Sequence, residues 1–159
     1  MTFLKNIFFS FALLISFNSS AELLLNQTTI NGMLDKIQES VSSQDIDKFS
    51  MFFTEDSIIT FEMPKNMGGI STISKDEYMK MLKLGWSLPE VKLTYEVNNI
   101  DINIAKDQKS AVVKSITIET VEMNGEIVMS STSHEVANII IFNEAPTINK
   151  LYGKIDINL

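Results

Sequence analysis

His134 is the only histidine in the chain, and an imidazole ionises close to neutral pH, which makes it the first candidate for a general base or acid. Such a base is oriented by a carboxylate, for which Glu119 and Asp156 are candidates. The catalytic set expected from residue type is therefore His134, Glu119 and Asp156. Glu119 and Glu135 lie among Thr, Val and Ile, where burial of an unpartnered carboxylate is costly. Each either faces water on an antiparallel sheet or lines a cavity with a raised pKa. His134 has the same two options. Alternation places it on one face with Val128, Ser130, Thr132, Val136, Asn138 and Ile140. If that face is the inner one, His134 is a pocket base; if not, it is a surface residue.

Several other chemistries lack their residues. The chain has no cysteine, which removes thiol nucleophiles and thiolate metal sites. One histidine and no clustered acidic loop give no metal-ligand spacing. No G-x-S-x-G elbow occurs, and Met67-Gly68-Gly69-Ile70 is too short, and lacks the lysine, for a phosphate loop. No metal and no cofactor are implied. All 13 basic residues are lysine, against 20 acids and a net charge of −7. Without arginine or a basic excess, nucleic acid is not an expected partner, and neither is an anionic lipid surface.

Ligand-binding candidates are apolar or amphipathic: Trp86, Tyr78 and Phe61 near the helices, Thr132 on the face of His134, and Tyr152 near the C-terminus. Such aromatic residues line apolar pockets and equally often form plain core. Asp56, at a helix-to-strand junction, is expected to hold backbone N–H groups in the turn.

These residues need a scaffold. From Thr28 to Val41, Ile30, Met33, Leu34, Ile37 and Val41 mark one helical face, with Thr28 or Thr29 as the cap. Asp45 caps a second short helix whose buried side is Ile46, Phe49, Phe52 and Phe53; Thr54-Glu55-Asp56 ends it, and a strand runs from Ser57 to Met63. A glycine-rich loop and a short strand, Ser71 to Ile73, precede a third helix opened by the capping box Ser74/Glu77 and closed by Pro89. Beyond Glu90 the chain is strand-like, with four long antiparallel strands expected at 91–105, 110–123, 126–142 and 147–158 and Asn124-Gly125 as the clearest hairpin turn. Strands of this length curve, and the concave side needs the helices as cover.

Residues 1–21 have the order of a secretory signal peptide: Lys5, an apolar run from Ile7 to Phe17, then a small polar stretch ending at Ala21. The run is about 11 residues, short of the roughly 20 that span a bilayer. Cleavage after Ala21, a periplasmic or secreted product with no stable membrane anchor, and one domain over 22–159 are expected.

The element order resembles the nuclear transport factor 2-like superfamily, also called SnoaL-like or cystatin-like. The telling segments are Asp45-Ile46-Asp47-Lys48-Phe49 through Phe53-Thr54-Glu55-Asp56-Ser57, similar to that family's second helix and first strand, and Ile148 to Asp156, similar to its last strand. The resemblance implies an α+β fold: a cone-like curved antiparallel β-sheet covered by three N-terminal helices. It also implies that dimerisation through the exposed sheet face is frequent, and that members range from enzymes such as ketosteroid isomerase and scytalone dehydratase to non-catalytic domains. Tyr95, Tyr152 and Asp101 are available for an isomerase-type site, although no spacing singles them out. Two functions are expected: non-catalytic binding of a small apolar ligand or protein partner, or an isomerase or dehydratase using a His/carboxylate pair. An assembly role would instead require an exposed apolar patch on the sheet.

Overall fold

The computed structural model describes residues 23–88 and 91–158; the expected signal peptide, residues 1–21, and Pro89 lie outside them. Leu25 is fully buried, and its N–H is tied to the Gln108 carbonyl at 2.8 Å. Helix α1 spans Gln27–Ser42, with Asn26 rather than Thr28 or Thr29 as its cap: the Asn26 side chain accepts from the Thr29 N–H at 2.9 Å. Ile30 and Met33 are buried, with Leu34, Ile37 and Val41 packed beside them. Asp45 caps α2, Ile46–Ser50, by accepting from the Lys48 N–H at 3.0 Å.

Strand β1, Phe53–Glu62, starts earlier than the expected Ser57. Phe53 already pairs with Ile148, and the register is irregular from there to Ile58. Hydroxyl groups hold this irregularity: Thr54 Oγ1 lies 2.9 Å from Ser57 Oγ, which donates to the Ile148 carbonyl at 2.7 Å. Asp56 is exposed, and the junction is fastened through the Ile148 carbonyl by Ser57 rather than through backbone N–H groups by Asp56. After β2, Ile70–Ser74, the Ser74/Glu77 capping box opens α3, Lys75–Trp86. Lys75, at the first position of α3, is buried and donates to the Phe53 carbonyl at 3.1 Å and to Glu55 at 2.7 Å. It fastens α3 to the start of β1.

Strands β3 (Val91–Ile104), β4 (Ser110–Met123), β5 (Glu126–Phe142) and β6 (Ala145–Asn158) form an antiparallel meander. The hairpin between β4 and β5 turns at Asn124 and Gly125, both with positive φ, the requirement of a two-residue turn that matches strand twist. The six-stranded order is β2-β1-β6-β5-β4-β3. β6 runs parallel to β1, so the sheet is mixed rather than wholly antiparallel. The chain crosses from β1 through β2 and α3 to the far edge, and three hairpin reversals fix the direction in which β6 returns.

The core comprises Leu25 and α1, α2 residues together with Phe53, Ile59, Ala111, Val113, Ile139 and Ile148. Ala111, Val113 and Ile139 thus define the helix-covered face of β4 and β5. Strand β3 keeps its apolar side inward by a bulge between Asn98 and Asp101, where Asn99 takes φ 51°. The inner residues change there from Leu93 and Tyr95 to Ile102 and Ile104.

Candidate functional site

Pairing between β4 and β5 is regular from Ser110 to Val121, so every second residue from the core keeps the same face. Ala111 and Val113 lead to Ser115, Thr117 and Glu119 on β4; Ile139 leads to Ala137, Glu135, Ser133 and Ser131 on β5. The helix side of the sheet is therefore apolar at one end and polar at the other. Glu119 is directly opposite Ser131 on one side and Tyr95 of β3 on the other. Tyr95 and Ser131 both hydrogen-bond the Glu119 side chain. Glu135, directly opposite Ser115 and Gly153, is hydrogen-bonded by the Thr117 and Ser133 side chains.

Helix α3 and β1 supply an aromatic wall. Tyr78 packs against Phe53 at 5.9 Å, Phe61 at 5.6 Å and Phe49 at 6.2 Å between ring centroids. Phe49 meets the Trp86 ring nearly edge-on at 6.0 Å and 73°. The Trp86 indole Nε1 donates to Tyr95 Oη at 3.4 Å, which carries the wall onto the sheet. Gly153 is buried, and a Cβ there would lie 3.2 Å from Ser133 Oγ and 3.6 Å from the Phe61 ring. Its missing side chain leaves room for both.

Burial is the leading cause of the electrostatics here. It raises the pKa of Glu119 against the lowering effect of its Tyr95 and Ser131 hydrogen bonds. Glu135 is raised by burial as well, with the negative charge of Glu119 adding to the effect. Tyr95 is pushed up to about 12 and Tyr78 well above the usual phenol range, both chiefly by burial. Each carboxyl thus stays neutral to higher pH than one in water and can serve as a hydrogen-bond donor or a proton source.

Of the residues expected from sequence, Glu119, Trp86, Tyr78 and Phe61 come together on the helix-covered face. His134, Asp156, Thr132 and Tyr152 do not. The unbroken alternation of β5 sends His134 to the outer face, where it is exposed and opposite Lys154 and Ile116. Thr132 faces Asp156 on that side. Tyr152 hydrogen-bonds Glu62 there, a contact that raises its pKa. His134 and Glu119 are on opposite sides of the sheet and form no pair. Val128, placed with His134 by alternation, sits at the register shift beyond Val121. Ser131, Ser133 and Thr117 were not singled out from sequence. The signal for them is that Thr117 and Glu119 interleave with Ile116 and Ile118 in a stretch whose polar side faces inward.

An opening of about 350 Å³ lies between α2 and α3 and includes Asp47, Glu55, Lys75, Asp76, Lys80 and Lys83. Its acids and lysines balance, and it shares no residue with the sheet site. Among the described residues, no group of three or more His, Cys, Asp or Glu side chains is arranged to hold a metal ion, and no helix is long and apolar enough to cross a membrane.

By sequence, the chain matches no family model and no curated protein. Solved structures do match. A nuclear transport factor 2-like protein from Cytophaga hutchinsonii superposes with TM-score 0.61 at 14% identity, over 82% of this chain and 98% of that one. A candidate scytalone dehydratase from Novosphingobium aromaticivorans gives 0.64 at 13% identity, over 83% of each chain. The beta subunit of the benzoate 1,2-dioxygenase from Burkholderia mallei gives 0.65 at 14% identity, over 84% of this chain and 93% of that one. Proteins with different roles share the architecture, so the likeness carries the fold and the site must carry the function.

Proposed function

From the nuclear transport factor 2-like fold that this chain adopts, we propose that it is an exported binding domain whose recess between helices and sheet takes a small, mainly apolar molecule. The observation that carries this reading is the polar end of the inner face. Glu119 and Glu135, each with hydroxyl partners, lie beyond the apolar core beside Trp86 and Tyr95. Aromatic rings suit the apolar body of a ligand, and a neutral carboxyl suits a carbonyl or hydroxyl at its end. Export rests on the leader-like pattern of residues 1–21.

Trp86 is the only tryptophan, so its emission reports on the recess directly. Titrating the purified protein with a panel of small apolar ketones, phenols and alcohols is expected to yield at least one compound that changes Trp86 emission saturably. Glu119→Gln, which keeps the shape and removes the carboxyl, is expected to weaken that compound about tenfold, equivalent to roughly 1.4 kcal/mol. A panel without effect, or unchanged affinity in Glu119→Gln, argues against the reading.

The convergence of two carboxyls and a tyrosine favours a second reading, proton transfer of the isomerase or dehydratase kind. In that case Glu119 and Glu135, not a His134 pair, move the proton. His134→Ala then leaves turnover unchanged and Glu119→Gln abolishes it.

A further inference from the structure

Hydrogen-bond direction in the recess is settled by which groups have protons to give. An indole N–H is a donor only, whereas a tyrosine hydroxyl has one proton and accepts through its oxygen. Trp86 Nε1 donates to Tyr95 Oη at 3.4 Å, so one acceptor position on Tyr95 is filled from α3. Tyr95 and Glu119 are directly opposed across β3 and β4, where side chains on one face approach to about 5 Å. The two are hydrogen-bonded. With its oxygen engaged by Trp86, Tyr95 best satisfies Glu119 by donating its single proton. Ser131, the opposite neighbour on β5, supplies the other hydroxyl.

We propose that Trp86 is a positioning residue: its N–H sets the direction of the chain Trp86 to Tyr95 to Glu119, leaving Tyr95 without a proton for a ligand and Glu119 as the group that meets one. This rests on the recess being the ligand site and adds which of its groups does the gripping. A donated hydrogen bond also polarises the Tyr95 hydroxyl and makes it a better donor, so Trp86 favours the ionised form of Glu119 through an intermediate it touches. Specificity follows. Glu119 offers a ligand an acceptor when ionised and a donor when neutral, whereas Tyr95, its proton given to Glu119, offers no donor. The titratable groups around Glu119 are Tyr95 from β3, Tyr78 from α3 and Glu135 from β5.

The test needs no ligand, so its failure leaves the binding reading standing, and a failed ligand screen leaves this test intact. The single indole N–H gives one assignable proton resonance, and the Glu119 and Glu135 carboxyls can be followed by carbon-detected titration. The indole signal is expected to move with the midpoint of Glu119, and this movement to disappear in Tyr95→Phe. Trp86→Phe, which keeps a ring against Phe49, is expected to raise the Glu119 midpoint; added to Tyr95→Phe, it raises that midpoint no further. An indole signal blind to Glu119, or one that tracks Glu135 instead, overturns the proposal in the unmutated protein, whatever the variants' folding. So does a Trp86→Phe shift that persists without the Tyr95 hydroxyl.

Discussion

Glu135 and Lys75 are both ionisable groups withdrawn from water, and their surroundings give them opposite roles. Glu135 has hydroxyl partners and no cation, and burial raises its pKa. The folded chain therefore holds that proton to higher pH than the unfolded chain does. Its contribution to stability is greatest below the ordinary carboxylate range and is lost as pH rises through the raised value. Urea unfolding across pH is expected to show Glu135→Gln matching the parent in acid and becoming progressively more stable relative to it as pH rises; parallel curves would remove the buried-acid account. Lys75 is a cation with two partners. Its side chain is 9% exposed while that of Glu55 is 86% exposed, so the carbonyl of Phe53 is the partner that cannot turn to water. Lys75→Met is expected to cost about 1–3 kcal/mol for the orphaned acceptor, and Glu55→Gln less than about 1 kcal/mol. Chemical denaturation of both variants checks the order. Residue type in the sequence marked Glu119 and Glu135 as costly to bury, but gave no hint that Lys75, first in its helix, turns inward.

Strand β5 shows how one element decides a functional assignment. Its side chains alternate without interruption from Ile139 to Ser131, and a shift of one residue would put His134 in place of Glu135 on the helix-covered face. The strand and helix limits were legible from periodicity and turn residues: Asn124-Gly125 and the Ser74/Glu77 box each specify local geometry by themselves. Which face of β5 turned inward was not legible. Hydrophobic alternation points the wrong way there, since Ile116, Ile118 and Val136 lie outward while Thr117, Glu119 and Glu135 lie inward. The parity is set by the core at the other end of the strand, through Ile139, a long-range contact that no local pattern encodes. The start of β1 was obscured similarly, because its irregular pairing to Ile148 depends on β6, far along the chain. The hairpin supplies a test at this scale. Gly125 has φ 83° and open space where a Cβ would be, so Gly125→Ala is expected to cost about 1–2 kcal/mol from backbone conformation alone, measured by thermal unfolding. No loss would mean the turn tolerates a different geometry.

Over the whole molecule, the division of labour follows the sheet. One end of the helix side is sealed by α1, α2 and the buried aliphatic residues, which stabilise the fold; the other end leaves carboxyl and hydroxyl groups half-buried under Trp86 and Tyr78. Polar groups placed inward lower stability there, the usual sign of a site kept for something other than packing. The fold class could be read from element order, whereas the location of the site depended on how the two faces of a twisted sheet were assigned. Nature has left one unique reporter on each face: Trp86 inside and His134 outside, the only tryptophan and the only histidine in the chain. The most direct measurement is a proton NMR titration of the protein with the panel of small apolar ketones, phenols and alcohols, following the Trp86 indole and His134 ring signals in the same spectra. The account predicts a saturable shift of the indole signal with the His134 signal unmoved. A His134 signal that shifts while the indole stays still would place the ligand on the outer face and contradict it.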